Sequence, residues 1–379
     1  MINILFVANW KSDVGYAWWL MENFWVQLSK LAQQKNVKSH LIYPEITRIP
    51  DPIKTSAIQV HQLDYEDNSI PGLLHLVRFI LAHKIKCIYF SDKSYLSLKY
   101  LLLRCFGVQK IIVHDHTPGV RTVPVGLRRF VKEKVHALPL ITADALIAVT
   151  YYVQERHLRS NCIPRRKSYV AQNGIVPIGR NPEYRHYCHD IFGIPHNATV
   201  VFTSGRASRY KQIDFIIECA NILINEDNIN DLYFIYCGDG PDFNNLQNLV
   251  YSRRLQVRFI FAGNRSDVRQ IAQSCHIGIQ ASKGEVGYSL SILEYMSAGL
   301  ATLAPDNPSV CASITHEVTG LIYKENNISS ACDNLRRVIR DLPYRETLGR
   351  MAMHEIMHNY NLEKTNRQLE NAVSSACDL

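Results

Sequence analysis

Several signals that would place a protein in a membrane, outside the cell or around a metal are missing from this sequence of 379 residues. Its apolar runs are all shorter than 18 residues, so we expect no membrane-spanning helix. The segment MINILFVANW lacks the basic residues and cleavage site of a secretory signal, and residues 2–8 are typical of a first strand. No C-x-x-C pair occurs among the ten cysteines, which indicates neither a zinc site nor a disulfide framework. We therefore expect a cytoplasmic protein.

Nucleic-acid-binding motifs are also missing, although the net charge is +8. Such an excess suits polyanions, anionic lipids or sugar nucleotides, and the charge alone does not choose among them. The turn at Gly238-Asp239-Gly240-Pro241 is not a G-x-G-x-x-G fingerprint, which disfavours NAD as a cofactor. We expect no nucleic-acid partner.

The length and the order of elements predict two α/β domains. The chain exceeds one typical core, and 47% hydrophobic with 20% charged residues is the composition of a globular protein. Strand-like and helical segments alternate, as parallel sheets with crossover helices require. In the first half the strand candidates are residues 2–8, 41–43, 86–90, 111–114, 143–149 and 168–171. The predicted boundaries are a first domain at 1–175, an irregular polar linker at 176–195, a second domain at 196–355 and a C-terminal helix at 356–379 that packs on the first domain.

The stretch GEVGYSLSILEYMSAG, residues 284–299, is typical of a loop and a helix between two strands. Apolar runs at 277–281 and 300–304 flank it, and Gly299 fits a left-handed C-terminal cap. A helix that begins at the carboxyl end of a parallel strand presents N–H groups and a positive dipole end, which favour an anionic ligand. Glu294 is placed to accept hydrogen bonds from ligand hydroxyls, although a solvated glutamate fits the same position.

A second candidate region follows the predicted strand at 199–204. Gly205 and Arg206 come directly after this strand, and Lys211 lies on the turn that precedes the next helix. Arginine offers a planar fork to two phosphate oxygens and lysine a compact charge, so the pair suits a diphosphate. Single basic residues after a strand are usually solvated. Because the same sequence also contains the candidate ligand-binding helix of Glu294, we favour a ligand-binding role for Arg206 and Lys211.

Both regions resemble the signature of retaining glycosyltransferases of family 4, also called glycosyl transferases group 1. The matching residues are Gly287-Tyr288-Ser289-Leu290, Glu294 and Ala298-Gly299, the G-R-x(4)-K element of Gly205, Arg206 and Lys211, and the G-x-G-P turn at Gly238 and Gly240. At the position of the family's first glutamate this sequence has Val286, and the nearest acid is Glu285. The resemblance implies a GT-B fold, an α/β architecture of two Rossmann-like domains whose parallel sheets face an interdomain cleft.

The resemblance also implies a nucleotide-sugar donor held by the second domain. The expected donor-binding residues are Gly205, Arg206, Lys211, Gly238, Gly240, Tyr288, Ser289, Leu290 and Glu294, with the basic side chains on the diphosphate and Glu294 on the ribose. The candidate catalytic residues near the sugar are Glu285, His116 and His114, and those on the acceptor side are Trp10 and Gly15. No metal or cofactor is expected, because cationic side chains neutralise the diphosphate and retention in this family is thought to need no protein nucleophile.

Two of these assignments have structural alternatives. His114 and His116 follow a predicted buried strand, at the sheet edge where ligands bind in open α/β folds, but a histidine satisfied by neighbouring backbone fits the same pattern. Trp10 is a candidate stacking platform, and the other tryptophans lie on a predicted helix between residues 18 and 31. We expect these helical tryptophans to pack in a core or an interface.

The implied acceptor is a saccharide or a lipid-linked glycan, in a pathway of cell-surface polysaccharide biosynthesis such as that of lipopolysaccharide. A basic amphipathic stretch at 121–140 bears on this acceptor, since Arg128, Arg129, Lys132 and Lys134 interleave with apolar residues. Such a helix can make peripheral contact with an anionic membrane, here the inner face of the plasma membrane. The solvated face of a Rossmann helix explains the same residues equally well.

Three rival functions share features with this assignment. A sugar-nucleotide epimerase has the GT-B fold but would react without an acceptor, and a glucan phosphorylase would need a pyridoxal lysine motif that is not evident. Because the family's first glutamate is missing, a catalytically degenerate sugar-binding or assembly subunit is the third. Arg206, Lys211 and Glu294 are intact and argue against it.

Overall fold

The structure, a computed structural model, describes residues 3–13 and 18–377, which form two units. Unit 1 comprises the described residues within Met1–Thr117, Arg121–Gln172 and Thr365–Leu379. Unit 2 comprises Pro118–Val120 and Asn173–Lys364. Each unit contains one parallel β-sheet with crossover helices, so the expected α/β class is confirmed.

The sheet of unit 1 has seven described strands. They are β1 (Asn3–Val7), β2 (Ser39–Tyr43), β3 (Gln59–Gln62), β4 (Ile85–Ser91), β5 (Lys110–Asp115), β6 (Ala145–Ala148) and β7 (Ser168–Val170). Their order is β3-β2-β1-β4-β5-β6-β7, and all neighbours are parallel. The central strands are near-continuous apolar runs because both faces of a parallel sheet are covered. The strand order reverses between β1 and β4, where a ligand of this sheet is expected at the carboxyl ends.

The sheet of unit 2 has six strands. They are β8 (Thr199–Ser204), β9 (Leu232–Cys237), β10 (Phe259–Gly263), β11 (Ile277–Ile279), β12 (Ala301–Pro305) and β13 (Leu321–Tyr323). Their order is β10-β9-β8-β11-β12-β13, again with parallel neighbours. The predicted strand at 199–204 is confirmed with the same bounds.

Helices follow most strands along the chain. In unit 1 they are α1 (Trp19–Gln34), α2 (Asp51–Lys54), α3 (Ile70–Ala82), α4 (Leu98–Cys105), α5 (Gly126–His136) and α6 (Tyr151–Arg159). In unit 2 they are α7 (Tyr187–Phe192), α8 (Ile213–Asn221, continued by a π-helical turn at Ile222–Glu226), α9 (Phe243–Ser252), α10 (Val268–Gln273), α11 (Leu290–Ser297), α12 (Ile328–Arg340) and α13 (Leu342–Asn359). The last helix is α14 (Leu362–Cys377). Among the described helices, none combines the length and the hydropathy needed to cross a membrane.

From Thr365 onward α14 belongs to unit 1, where it packs against α1. Asn366 Oδ1 accepts a hydrogen bond from Asn23 Nδ2 at 2.8 Å, and Glu370 Oε1 accepts one from Gln27 Nε2 at 2.5 Å. Residues that are 343 positions apart in the chain therefore complete one unit.

Two segments differ from the sequence-based expectation. The sequence does not predict β3, because its residues Gln-Val-His-Gln are mostly polar and lie on an edge strand. The segment predicted as an irregular linker contains α7, whose Cys188 is fully buried in a hydrophobic cluster of unit 2. This helix has only six residues, which is too short for a periodic pattern to identify it.

Candidate functional site

The centre of the unit 2 sheet is the point where its strand order reverses. The chain runs outward from β8 through β9 to β10, returns to β11 on the other side of β8, and continues through β12 to β13. In open parallel sheets, ligands bind at the carboxyl ends of the strands that flank such a reversal. The two candidate regions of the second half of the chain follow β8 and β11, so the fold brings both to this edge.

Lys211 and Glu285 form an ion pair at this edge. Lys211 Nζ lies 2.5 Å from Glu285 Oε1, and the two side chains are only 22% and 13% exposed. Gln280 Nε2, directly after β11, donates to the same carboxylate oxygen at 3.4 Å. Because both side chains are largely buried, each charge stabilises the other. The contact joins two predicted site residues that are 74 positions apart.

Arg206 lies on the same loop as Lys211, two residues after the end of β8. Gly205 N donates to Cys237 O at 3.1 Å, and Ala207 N donates to Asp239 O at 2.9 Å. The side chain of Arg206 is exposed. The backbone of this loop is therefore held by the loop after β9, and the guanidinium of Arg206 is accessible.

Gly238 and Gly240 permit close packing between these two loops. A Cβ atom on Gly238 would lie 1.9 Å from the carbonyl oxygen of Gly205, and one on Gly240 would lie 2.5 Å from that of Ala207. No side chain fits at such distances. Both glycines are predicted to lie near the nucleotide. The structure shows that they are also required for the close contact between the two loops.

Residues 307–309 support the loop that carries Glu285. Ser309 Oγ accepts a hydrogen bond from Glu285 N at 3.3 Å, and Ser309 O accepts one from Gly287 N at 2.8 Å. Ser309 Oγ itself donates to Asn307 Oδ1 at 2.7 Å. Neither Asn307 nor Ser309 is predicted as a site residue. The turn composition Pro-Asp-Asn-Pro-Ser is the signal that points to this loop.

The helix predicted after this loop is α11. Ser289 is its N-cap, and Ser289 Oγ accepts a hydrogen bond from Ile292 N at 3.2 Å. The buried Tyr288 donates from its hydroxyl to Asn173 O at 2.8 Å. These side chains serve the fold, so the donor role predicted for Tyr288, Ser289 and Leu290 concerns the backbone at the helix start. Glu294 lies one turn further on and is 8% exposed.

His114 and His116 lie side by side at the carboxyl end of β5 in unit 1. Their ring centroids are 4.3 Å apart, and Phe24 of α1 packs on both rings. His114 is fully buried with its Nδ1 atom 2.5 Å from the hydroxyl of Tyr89, whereas His116 is partly exposed. Burial lowers the pKa of both imidazoles, so both are neutral at pH 7.

The Nε2 atoms of both histidines are buried and have no hydrogen-bond partner among the described residues. Nearly all buried polar atoms in proteins are paired. A ligand hydroxyl or a water molecule at this edge would supply the missing partner. Of the two predicted residues, His116 is therefore the better candidate for a direct contact, and His114 lies behind it.

The charged network around Asp115 is not predicted by the sequence. Asp115 Oδ2 lies 3.0 Å from Arg156 Nη2 and 2.9 Å from His157 Nε2, and Thr117 donates to the other carboxylate oxygen. Burial by itself raises the pKa of Asp115, but His157, Arg156 and Thr117 outweigh burial and hold this pKa well below its usual range. Arg156 and His157 are buried, so the network joins α6 to β5 and is structural.

The two residues predicted on the acceptor side have different outcomes. Trp10, on the loop after β1, is 50% exposed, and its ring centroid lies 5.2 Å from that of Trp18. An exposed indole at a sheet edge is suited to stacking on a ligand. Trp25 on α1 is buried as expected. Gly15 lies outside the described residues.

The predicted basic stretch forms α5, and neighbouring groups engage three of its four cations. Lys132 Nζ donates to Ser160 O at 2.8 Å, Arg129 pairs with the glutamate one turn on, and Lys134 Nζ lies 5.3 Å from the centre of the Phe130 ring. Most side chains of the helix are nevertheless exposed. No residue of α5 is buried, and Leu127, Phe130 and Val131 are 77%, 56% and 50% exposed. The exposed face of α5 is therefore apolar as well as basic.

The expectation that the sequence has no metal-site signal is wrong at one place, residues 354–358. Residues 354–358 read His-Glu-Ile-Met-His, and H-E-x-x-H places two histidines on one helix face where they can bind zinc. Both histidines are exposed on α13, with ring centroids 4.1 Å apart. Within residues 3–13 and 18–377, no further histidine, cysteine or carboxylate completes this pair as a three-ligand site.

Comparisons with known proteins agree with this geometry. The model of the family glycosyl transferases group 1 matches residues 188–354. The UDP-Gal:alpha-D-GlcNAc-diphosphoundecaprenol alpha-1,3-galactosyltransferase of Escherichia coli is 27% identical over 175 residues, 46% of this chain and 45% of that protein. The chain spans about half the length of the curated relatives that it matches.

Solved structures resemble the whole chain. A glycosyltransferase from Rickettsia africae is 17% identical, with a TM-score of 0.81 over 100% of this chain and 99% of that chain. Anabaena Alr3699/HepE in complex with UDP-glucose is 16% identical, with a TM-score of 0.75 over 99% and 100% of the two chains. At these identities the likeness shows the fold, which confirms the expected GT-B architecture. Residues 188–354 of this chain match the model of the glycosyl transferases group 1, and the resemblance to that family rests on this part of the chain.

Proposed function

We propose that this protein is a retaining glycosyltransferase that moves a sugar from a nucleotide-diphosphate donor to a saccharide or lipid-linked acceptor, without a metal or cofactor. The observation that carries the proposal is the Lys211–Glu285 ion pair, on the loops that follow β8 and β11. Together with Arg206 this group offers two cations to a diphosphate and one carboxylate to sugar hydroxyls. The match of residues 188–354 to the glycosyl transferases group 1 supports the same class of reaction.

The basic residues are proposed to stabilise the leaving group. Negative charge grows on the diphosphate as its bond to the anomeric carbon breaks, and a preorganised donor aimed at such charge is worth about 3–4 kcal/mol of barrier. An ammonium group has three N–H donors, so Lys211 can bind a phosphate oxygen while it keeps Glu285 as a partner. The pair therefore needs no rearrangement when the donor binds.

Glu285 is proposed to take the place of the family's first glutamate. Its carboxylate contacts Lys211 and Gln280, whereas the next residue, Val286, has no polar side chain. The main chain at Glu285 is held by Ser309, which fixes the direction of the side chain. Glu294 is proposed to accept hydrogen bonds from the ribose.

Retention follows if the acceptor hydroxyl attacks from the face that the diphosphate leaves. The bond between the acceptor oxygen and the anomeric carbon forms as the bond to the diphosphate oxygen breaks, and the acceptor proton passes to the diphosphate. No protein nucleophile takes part. His116, neutral at pH 7, is proposed to hydrogen-bond a substrate hydroxyl, and Trp10 is proposed to stack on the acceptor.

The acceptor is proposed to belong to cell-surface polysaccharide biosynthesis. The galactosyltransferase of Escherichia coli acts, by its name, on a sugar carried by diphosphoundecaprenol. The exposed apolar face of α5, with Arg128 and its basic neighbours, fits the anionic membrane surface in which such an acceptor would lie. An ordinary helix of a Rossmann fold buries its apolar side against the sheet, and α5 does not.

Thermal stabilisation by donors tests the main proposal. The purified protein is melted with a panel of nucleoside diphosphates and nucleotide sugars, each with and without EDTA. A ligand that binds only the folded state adds about 2.7 kcal/mol of stability at a hundred times its Kd. We expect one nucleotide family to raise the Tm equally in both buffers, and transfer to follow once an acceptor is added.

Two outcomes would contradict the proposal. If no nucleotide raises the Tm, the chain is better explained as a degenerate sugar-binding or assembly subunit. If the donor sugar is converted without any acceptor, the protein is an epimerase. Sedimentation with vesicles that contain about one third anionic lipid tests the role of α5. Phe130→Ser should reduce binding, whereas Tyr251→Ser, which changes a more exposed aromatic residue on α9, should not.

A further inference from the structure

Three histidines that the proposed function does not use meet at one edge of the unit 1 sheet. His40 lies on β2, His61 on β3, and His83 directly follows α3. One nitrogen atom from each ring lies within 4.8 Å of the other two. The ring centroids are 4.6 to 5.4 Å apart.

We propose that His40, His61 and His83 form a binding site for a divalent transition-metal ion, with zinc as the first candidate. Imidazole nitrogen is a preferred ligand of zinc, copper and nickel. Two nitrogen atoms on one zinc ion are at most about 4.2 Å apart, which is twice the usual Zn–N length. The candidate ligand atoms of the three rings lie within 4.8 Å of one another, so the rings would rotate toward one another to bind one ion.

His40 supplies a second observation that points to a ligand. Its side chain is 1% exposed, and its Nε2 atom is buried without a hydrogen-bond partner among the described residues. Its Nδ1 atom lies 3.1 Å from His61 Nε2. The unpaired Nε2 atom lacks the hydrogen bond that a buried polar atom normally makes.

The surroundings hold the rings and leave a way in. Asn3 Nδ2 donates to His83 O at 2.6 Å, which ties His83 to β1. Phe79 packs against the rings of His83 and His61 at centroid distances of 4.4 and 4.9 Å. His61 and His83 are half-buried, so an ion can enter from solvent and a water molecule can complete its coordination. Lys38, which is exposed, is a nearby cation that weakens the site.

The position indicates a structural ion. His40 is near the start of β2 and His83 just precedes β4, so both lie toward the amino ends of their strands. His114 and His116 lie at the opposite, carboxyl edge of the same sheet, where substrates of such folds bind. An ion at the three histidines would join the end of α3 to β2 and β3, the two neighbouring strands at one edge of the sheet. It would take no part in the proposed reaction.

Metal titration of the apo-protein tests the site. Protein stripped with EDTA and freed of it is titrated with zinc chloride in competition with a chromophoric chelator, and its Tm is recorded with and without zinc. We expect one tight site per chain and a higher Tm with zinc. His61→Ala and His83→Ala should each weaken zinc at least about tenfold, because even outer-shell changes cost 10–100-fold. Bound cobalt(II) should show visible bands that both variants lose.

Two control variants separate this site from surface histidines. His75→Ala removes an exposed histidine of α3, and the double variant His354→Ala with His358→Ala removes the pair on α13. Both should keep zinc affinity unchanged. The proposal is overturned if His61→Ala and His83→Ala bind zinc as the parent does, or if the tight site disappears with the α13 pair. His83→Asn, of smaller volume change, repeats the test should the alanine variant not fold. Because nucleotide binding is measured separately in EDTA, failure here leaves the proposed function untouched.

Discussion

The carboxyl edges of the two sheets differ in the charge of their predicted site residues. At the edge of unit 2, Lys211 and Glu285 form an ion pair and Arg206 is exposed. At the edge of unit 1, His114 is buried, His116 is partly exposed, and both are neutral at pH 7; their Nε2 atoms are buried and lack partners among the described residues. The first arrangement suits an anion, and the second suits neutral hydroxyl groups. Under the proposed function, the first edge would bind the diphosphate and the second would bind hydroxyl groups of the sugar or the acceptor.

The largest expected effect comes from removing the cations of unit 2. Arg206→Ala combined with Lys211→Ala should lower kcat/KM by at least about a thousandfold, since each group is proposed to stabilise the charge on the leaving diphosphate. Initial rates of transfer measure the loss. Arg209→Ala, on the same loop and equally exposed, should leave the rate within about twofold. Undiminished turnover in a folded double variant would refute the diphosphate role.

Substitution of Glu285 tests whether its carboxylate, one position before that of the family's first glutamate, binds the donor sugar. We expect Glu285→Gln to reduce kcat about a hundredfold, comparable with Glu294→Gln, because the carboxylate of Glu285 already contacts Lys211. Val286→Glu in the Glu285→Gln background tests the family register directly and should not restore the rate. Nearly full activity of Glu285→Gln would show that the acid beside Lys211 only neutralises it.

His116 and His114 should separate into a contact residue and a supporting residue. His116→Ala should lower kcat about tenfold or more with little change in Tm, because a hydrogen bond to substrate is lost. His114→Ala should instead lower the free energy of unfolding by about 2–4 kcal/mol, since the ring is fully buried against Phe24 and Tyr89. The kcat of both variants is measured from initial rates, and their stability is measured from thermal melts. The reverse pattern would exchange the two roles.

The smallest expected effect is a difference in acid sensitivity. His40, His114 and His116 in unit 1 have a folded-state pKa below the unfolded value, so the unfolded state binds protons first as the pH falls. Each can remove up to about 1.4 kcal/mol of stability per pH unit below about pH 6.5. In unit 2, burial lowers the pKa of His276 to about 3, which also reduces stability as the pH falls. The thiol of Cys188, however, raises the pKa of His189, and this shift adds stability to unit 2 as the pH falls. Hydrogen exchange in EDTA at about pH 7 and pH 5 should show unit 1 opening more.

Equal loss of protection in the two units would contradict this account. The low pKa of Asp115 does not enter the comparison, because its contribution is present above the usual range of a carboxyl group and is lost only at still lower pH.

Those parts of the fold that depend on local sequence could be predicted. β8 and β9 are apolar runs between turns, and the loop and helix from Ser289 to Glu294 carry an N-cap and helical spacing. β3 could not be predicted, because an edge strand of mostly polar residues lacks the alternation that identifies a strand. The exposed apolar face of α5 is also invisible in sequence, where a packed helix and an unpacked helix have the same pattern.

The site was predictable only within each loop. Arg206 and Lys211 share one loop, so their spacing is a usable signal. The pairing of Lys211 with Glu285 joins two loops 74 residues apart, and that of Asp115 with His157 spans 42 residues. Likewise, no spacing rule groups His40, His61 and His83. Such contacts depend on strand order, which the chain specifies only through its complete fold.

The contact of α14 with α1 sets the order in which the molecule can be completed during synthesis. Asn23 leaves the ribosome 343 residues before its partner Asn366, which is roughly 20 to 70 s at ordinary rates of translation. All of unit 2 up to Lys364 is made in that interval. The domain that begins first is therefore finished last, and until then the surface of α1 that receives α14 is available to chaperones or to the wrong partner.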